Sequence, residues 1–201
     1  MSAEQRKAAI IETAVRLFAE KGFRGTTTRE LAAAVGVSEP VLYQHFATKR
    51  GLYKAIIEAI CANDERDEAL EKARAAGDDY TFFARLAELI LQWHDEQPQI
   101  LRLLLFSALE GHELKDLFVE RQVAVLYEIL TEYIERRQQQ GAFRAMDSYL
   151  AARVFTGMAS HQGVAKNVFG LRDLRGDRKQ IAESIAGIFL DGMKNSRSEA
   201  E

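Results

Sequence analysis

A short segment near the start of the chain carries side chains that suit the recognition of a nucleic acid. Gln44 and His45 bear an amide and an imidazole, groups that hydrogen-bond the edges of bases. The phenol of Tyr43 and the ammonium group of Lys49 suit phosphate oxygens, and Val41 offers an apolar contact for a thymine methyl group. This combination predicts binding to duplex DNA.

Two short helices joined by a tight turn would present these residues. Thr28 suits the N-cap of a first helix that ends before Gly36, and Ser38 suits the N-cap of a second. Pro40 falls in the first turn of the second helix, where its missing N–H costs nothing. In a helix-turn-helix the first helix braces the second, which lies in the major groove. The hydroxyls of Thr27, Thr28 and Ser38 and the backbone N–H groups beside them can hold phosphates.

The charge around the second of these helices separates two interpretations of the pair. Spacing alone fits a DNA-binding pair and equally a pair that only packs. The outer face of the second helix carries one acidic residue, Glu39. Four basic residues surround it: Arg24, Arg29, Lys49 and Arg50. Residues 1–50 have a net charge of +3 and residues 51–201 a net charge of −6, which favours an anionic partner for the first quarter.

The whole sequence predicts an all-α chain of about nine helices. It has 201 residues, of which 47% are apolar, 28% are charged and only two are prolines. We expect a polar connector over residues 62–79 and a long helix over about 115–140. The single cysteine, Cys61, excludes a disulfide framework and a multi-cysteine zinc site. Because no signal sequence and no apolar run near ~18 residues is present, we expect a cytoplasmic protein with no membrane partner.

The N-terminal segment resembles the signature of the TetR-type transcriptional regulators. The matching positions run in step over about residues 8–53: Leu17–Phe18, Gly22–Phe23, Thr26–Thr27, Leu31–Ala32, Gly36–Val37–Ser38, Leu42–Tyr43, His45–Phe46 and Lys49. Val35 replaces a common alanine, and Pro40 replaces a common glycine. Because Pro40 stiffens the start of the second helix, the base sequence that it recognises is not carried over from the family.

The resemblance implies a dimeric repressor that binds a DNA operator and is released by an unidentified small-molecule effector. It divides the chain into an N-terminal three-helix DNA-binding domain, residues 1–48, and a larger helical domain for effector binding and dimerisation, residues 49–201. The predicted DNA-binding residues, from the motif and from the side-chain chemistry, are Thr27, Thr28, Arg29, Ser38, Pro40, Val41, Tyr43, Gln44, His45 and Lys49. The alternative is a helical regulator or interaction protein that lacks a small-molecule effector.

Two later segments suit the packing of one subunit against another. Small residues recur over 147–168 and permit close approach of helices, and an apolar stripe follows over 181–193. In the family the last two helices of each chain form a four-helix bundle. We therefore expect a homodimer whose interface contains Gly157, Gly163, Ile181, Ile185, Ile188 and Phe189. The competing interpretation is that both stripes face the core of their own chain.

A cavity between the long helix and its neighbours would hold the effector. The predicted pocket residues are Trp93, Phe106, Glu110, Tyr127, Phe155, Met158 and His161. Aromatic residues at helical spacing also suit a closed core. A metal sensor built from His94, His112 and His161 is disfavoured because their spacing matches no compact ligand motif. No phosphate loop, HExxH, GxSxG or CxxC pattern is present, so we expect no enzyme activity, no cofactor and no metal site.

Overall fold

The computed structural model describes residues 2–61, 67–111, 116, 118–171 and 175–194. These residues form ten α-helices: α1 (Ala3–Lys21), α2 (Thr28–Val35), α3 (Glu39–His45), α4 (Lys49–Cys61), α5 (Glu68–Ala76), α6 (Asp79–Glu96), α7 (Pro98–Leu109), α8 (Ala124–Gln139), α9 (Ser148–Asn167) and α10 (Arg178–Met193). The only pairing of extended backbone in these ranges is an isolated bridge between Phe143 and Lys194. None of the described helices is long and apolar enough to cross a membrane. The predicted all-α fold is confirmed.

The helix that the sequence did not predict is α5, which lies in the expected polar connector. Asp67 caps its start by accepting the Leu70 N–H at 2.8 Å, and Gly77, with φ of 69°, ends it in the left-handed conformation. The connector prediction is wrong for this stretch, since its alanine, glutamate and lysine residues have high helix propensity. Periodicity missed it because Ala73 is its one buried residue.

The long helix expected over about residues 115–140 is helical wherever its residues are described, up to residue 139. Residues 116 and 118 are α-helical, and a π-helical turn, Val119–Val123, leads directly into α8. The prediction is therefore correct for these residues, while residues 112–115 and 117 lie outside the described part of the chain.

The first of two compact units consists of Met1–Asp64 and Pro98–Gln122, which contain α1–α4 and α7. In this unit α1 packs against α2, α4 and α7, and α2 packs against α3. The rings of Phe18, Phe23 and Tyr53 cluster at its centre with centroid distances of 5.3 to 5.6 Å. Buried apolar residues surround the cluster: Ile10, Leu17, Leu31, Leu42, Phe46, Leu52, Ile56, Ile57 and Leu103. These contacts hold the α2–α3 pair on α1.

The second unit consists of Glu65–Gln97 and Val123–Glu201, which contain α5, α6 and α8–α10. α6 packs against α5, α9 and α10, and α8 packs against α9. The core is aromatic at its centre, where the Phe83 ring contacts the rings of Phe155 and Phe189 at centroid distances of 4.9 Å each.

A polar group fastens α8 to the start of α6 in the second unit. The Tyr133 hydroxyl donates to the Asp79 carboxylate at 2.7 Å, and the Arg137 guanidinium donates two bonds of 2.7 and 2.9 Å to the same carboxylate. Burial and the adjacent carboxylate raise the pKa of Tyr133, so its hydroxyl keeps the proton that it donates.

The two packing units do not coincide with the two predicted domains, which meet between residues 48 and 49. α4 and α7 belong with the first three helices, because Leu52 and Ile56 of α4 and Leu103 of α7 are buried in the first unit. The boundary at residue 48 concerns contact with DNA rather than packing, and it stays a prediction.

Candidate nucleic-acid interface

The start of α2 is fixed by reciprocal hydrogen bonds between Thr27 and Glu30. The Glu30 N–H donates to the Thr27 hydroxyl at 3.1 Å, and the Thr27 N–H donates to the Glu30 carboxylate at 2.8 Å. Bonds from Lys21, at 2.8 Å, and from Thr27 lower the pKa of Glu30 to about 2. The prediction of Thr28 as the N-cap is wrong by one residue, because Glu30 completes this capping box with Thr27.

One left-handed residue makes the turn between α2 and α3. Gly36 has φ of 78° and ψ of 31°, a conformation that residues with a Cβ adopt at a cost. Its N–H donates to the Ala33 carbonyl at 3.1 Å, and the Val37 N–H donates to the Ala32 carbonyl at 2.9 Å. Backbone bonds therefore close the turn, which agrees with the role predicted for Gly36.

α3 is anchored by one face and exposes the other. Leu42 is 2% exposed and belongs to the core of the first unit, whereas Tyr43 is 45% exposed. Ser38 stands at the N-cap position, but its side chain makes no capping hydrogen bond, and Pro40 lies in the first turn as expected. Of the predicted DNA-binding residues, those exposed are Thr27, Arg29, Ser38, Pro40, Tyr43 and Gln44, and those half-buried are Thr28, Val41, His45 and Lys49.

A chain of hydroxyl groups connects the starts of α2 and α3. The Tyr43 hydroxyl donates to the Thr28 hydroxyl at 3.4 Å, and the Thr28 hydroxyl donates to the Glu39 carboxylate at 3.2 Å. Two residues predicted to bond phosphate therefore bond each other, beside an acidic group.

Lys49 contacts the turn between α1 and α2. Its ammonium group donates to the Phe23 carbonyl and lies 4.1 Å from the centroid of the Phe23 ring. Burial lowers its pKa, while the charges of Glu110 and Glu30 act in the opposite direction. Sequence reasoning missed this arrangement, for which no local signal exists.

Three of the six predicted interface residues pack within their own chain. Ile185 and Phe189 are 5% and 6% exposed and belong to the core of the second unit. Gly163 lies against His94 of α6, where an added Cβ would come within 2.3 Å of the imidazole Cγ. For these positions the structure favours the interpretation that the stripe faces its own core.

The other three predicted interface residues lie on or near an exposed apolar surface. Ile188 is 67% exposed, Gly157 is exposed and Ile181 is half-buried. Leu150 and Val154 of α9 are 53% and 50% exposed. We call these exposed residues of α9 and α10, Leu150, Val154, Gly157 and Ile188, the α9–α10 face.

The predicted pocket residues are divided between the two units. Phe155 is fully buried among the rings of the second unit, so its place is in the core. Phe106 and Glu110 belong to the first unit, where both approach Gly22. Trp93 and Tyr127 are half-buried in the second unit.

Two cavities lie along α9 and α10 in the second unit. Met158 and His161 line one of about 680 Å³ together with Ile181, Ile185 and Ile188. The other, of about 540 Å³, is lined by Asp95, Lys166 and Arg178, among others. Among the described residues no group of three or more His, Cys, Asp or Glu is placed to hold a metal ion, and His112 lies outside them.

Two family models match the chain. Residues 10–56 match the model for bacterial regulatory proteins of the tetR family. Residues 83–192, more than half of the chain, match the model for the C-terminal domain of AefR-like transcriptional repressors. The chain belongs to the TetR family. As a TetR-family member it is a transcription regulator with a DNA-binding domain and not an enzyme.

Relatives and solved structures agree with this membership. The HTH-type transcriptional regulator YvkB of Bacillus subtilis (strain 168) is 23% identical over 92% of this chain and 95% of its own. The tetracycline repressor protein class C of Escherichia coli is 46% identical over 27% of this chain and 25% of its own. AibR, solved with isovaleryl coenzyme A and operator DNA, shares the fold with a TM-score of 0.65 and 24% identity over 91% of this chain and 97% of its own. Dimerisation and a ligand-binding C-terminal domain are typical of the TetR family.

Proposed function

We propose that this regulator is a repressor that binds a palindromic operator as a dimer and leaves it when a small molecule binds the second unit. The observation that carries the proposal is the exposed side of α3, where Tyr43 and Gln44 stand next to each other on a helix fixed by Leu42. A rigid helix with exposed polar groups is what reading base edges requires.

The proposed contacts divide into two kinds. Gln44, His45 and Val41 of α3 read base edges and methyl groups. The phosphate contacts come from the starts of the two helices, from the exposed basic side chain beside them and from the phenol of α3: Thr27, Thr28, Arg29, Ser38 and Tyr43. Pro40 faces the DNA in the first turn of α3 and has no N–H to donate. Lys49 differs from these, because its ammonium group is engaged by the Phe23 carbonyl.

We infer that the α9–α10 face forms the contact between two copies. Exposed leucine, valine and isoleucine side chains at one surface lose water when a second copy covers them. A two-fold dimer also carries two recognition helices, and a palindromic operator requires them about 34 Å apart, the spacing of successive major grooves. Ile188→Glu puts a charge into this face, and we expect monomers in sedimentation. An unchanged dimer would exclude the face as the interface.

We place the effector in the second unit, where the cavity of about 540 Å³ has the size of a small-molecule site. Effector and operator must then weaken each other's binding by the same factor. Isovaleryl coenzyme A is the first compound to test, because AibR has the same fold and was solved with it. If neither this compound nor any in a wider screen displaces DNA, a regulator without a small-molecule effector becomes the better description. Because bacterial DNA lies in the cytoplasm, the proposal includes a cytoplasmic location.

The experiment that tests the function is a selection of random duplexes by the purified protein. We expect enrichment of an inverted repeat whose half-sites lie about one helical turn apart. A selection by Ile188→Glu should enrich single half-sites weakly, because the two recognition helices are no longer joined. If the unsubstituted protein enriches no sequence, the proposed operator binding is wrong.

A further inference from the structure

The carboxylate of Glu39 lies where α2 and α3 both begin. Glu39 is the first residue of α3, and its Oε2 accepts the Thr28 hydroxyl at 3.2 Å. Thr28 is the first residue of α2, and its hydroxyl accepts from Tyr43, which stands one turn further along α3. The carboxylate is therefore held beside two side chains that we propose contact DNA.

Glu39 has no ion-pair partner among the described residues. The neighbouring carboxylate of Glu30 differs, because Lys21 pairs with it at 2.8 Å. Thr28 occupies only one of the roughly four acceptor positions of the Glu39 carboxylate, and Oε1 accepts no hydrogen bond from the described part of the chain. Glu39 is half-buried rather than enclosed. A negatively charged acceptor thus remains open at the start of α3.

A carboxylate on a helix that enters a DNA groove needs a hydrogen-bond donor. Phosphate groups are negatively charged and only accept hydrogen bonds, so they repel a carboxylate. In the major groove the donors are the N4 amino group of cytosine and the N6 amino group of adenine, whereas guanine and thymine present acceptors. The N-terminal residues of a recognition helix contact base edges. Glu39 is therefore placed to meet one of these amino groups.

The two amino groups are not equivalent for a side chain that can only accept. Adenine presents its N7 acceptor beside the N6 amino group, and a carboxylate oxygen facing N7 is repelled. Cytosine itself presents the N4 donor alone at this edge. Cytosine is therefore the base that an ionised glutamate fits best.

We propose that Glu39 makes each half-site of the operator specific for cytosine at one position, by accepting a hydrogen bond from the cytosine N4 amino group. Base reading is assigned above to Val41, Gln44 and His45, so Glu39 is a further specificity-determining residue. Its charge acts in both directions, since it attracts an amino group and repels the acceptors of guanine and thymine. The proposal rests on the proposed function, because it concerns the operator of the same regulator.

Glu39→Gln tests the proposal because it removes the charge and adds a donor. The amide oxygen can still accept the Thr28 hydroxyl, and the whole amide bonds adenine at N6 and N7 together. The experiment compares selections of random duplexes by the unsubstituted protein and by Glu39→Gln, position by position. We expect cytosine at one symmetry-related position of each half-site in the first selection and adenine at that position in the second.

Competition between two duplexes measures the size of the change. One duplex is the selected operator, and the other carries adenine in place of the cytosine in one half-site. The unsubstituted protein should prefer the cytosine duplex by about 5- to 150-fold, which corresponds to about 1 to 3 kcal/mol, and Glu39→Gln should prefer the adenine duplex. Binding of Glu39→Gln to a duplex of mixed sequence should be about two- to threefold tighter, because a negative charge is removed.

Glu20→Gln is the matched control for the change of charge. Glu20 lies on α1, its side chain is 54% exposed, and its partner is Arg16 at 3.8 Å. We expect this variant to select the same operator as the unsubstituted protein. If Glu39 served only to hold Thr28, Glu39→Gln would keep that bond and the same base preference. An unchanged preference in Glu39→Gln, or an equal gain in affinity for every duplex, would overturn the proposal.

A second variant and a fold measurement keep these outcomes interpretable. Circular dichroism at the assay temperature confirms that each variant is folded. Glu39→Ala should lose the preference for cytosine without gaining one for adenine, because alanine neither accepts nor donates. If the unsubstituted protein enriches no sequence, the proposed function fails. If it enriches an inverted repeat that Glu39→Gln and Glu39→Ala select unchanged, only the assignment of cytosine to Glu39 fails.

Discussion

Replacing Gly163 with alanine forces a methyl group into the space beside His94 in the second unit. The added Cβ would lie 2.3, 2.4 and 2.5 Å from the imidazole Cγ, Cδ2 and Cβ of His94, where ordinary contacts begin at 3.4 Å. These atoms sit close to the α6 backbone and cannot swing away as a side-chain end does. The ring is also held by a 2.7 Å contact between its Nδ1 and the Ile90 carbonyl, and the His94 carbonyl accepts from Asn167 at 3.1 Å.

The expected magnitude comes from a comparison with Gly157→Ala on the same helix. Overpacking a core position costs about 1 to 3 kcal/mol. Replacing glycine by alanine inside a helix stabilises it by about 0.5 to 1 kcal/mol, and this gain is common to both variants. An added Cβ at Gly157 meets none of the described atoms within 4 Å. The difference between the variants is therefore the overpacking cost alone.

Thermal unfolding followed by circular dichroism measures this difference. For a chain of this length 1 kcal/mol shifts Tm by about 2 to 4 °C, so Gly163→Ala should melt about 2 to 12 °C below Gly157→Ala. Sedimentation of both variants separates a loss of fold stability from a loss of association, because Gly157 lies on the α9–α10 face. If the two variants melt together, His94 moves aside at no cost and the packing described for Gly163 is wrong.

Three further predictions concern the capping box and the polar group of the second unit. Thr27→Ala removes the cap of α2 and should lower the free energy of unfolding by about 1 kcal/mol in urea titrations; no change would show that the box contributes nothing. Because the pKa of Glu30 is lowered from 4.5 to about 2, its contribution to stability is present above pH 4.5 and is lost as the pH falls toward 2. The free energy of unfolding of Glu30→Gln should therefore fall less between pH 4.5 and pH 2 than that of the unsubstituted protein. An equal fall in both proteins would contradict this. Asp79→Ala leaves Tyr133 and Arg137 without their acceptor and should cost about 2 kcal/mol by the same titration, whereas a cost near zero would mean that water replaces the carboxylate freely.

Local signals account for the parts of the fold that the sequence predicted. The turn at Gly36 and the first turn of α3 at Pro40 depend on the backbone preferences of single residues. These preferences can be recognised in the sequence without knowledge of the fold. The helix α5 was missed for a related reason. Its propensity is high, but Ala73 alone is buried, so no hydrophobic period marks it.

Contacts between distant parts of the chain account for what could not be predicted. In the sequence, Gly163 fits a small residue at a dimer interface. Only the fold shows that His94, which lies 69 residues earlier in the sequence, fills the space beside it. Helical spacing favours a core position for Phe155 over a pocket wall, and only the fold shows that it is buried among the rings of the second unit. For Lys49 the motif specifies the position on α4, whereas its hydrogen-bond acceptor, the Phe23 carbonyl, comes from a turn 26 residues away.

Gln44 lies on the exposed side of α3, and we propose that its side-chain amide reads base sequence. The direct measurement is a selection of random duplexes by Gln44→Ala, compared position by position with a selection by the unsubstituted protein. We expect an inverted repeat in both, with base preference abolished at one symmetry-related position of each half-site, worth about 1 to 3 kcal/mol, and the other positions retained. An unchanged sequence preference, or an equal weakening at every position, would contradict the assignment of α3 as the recognition helix.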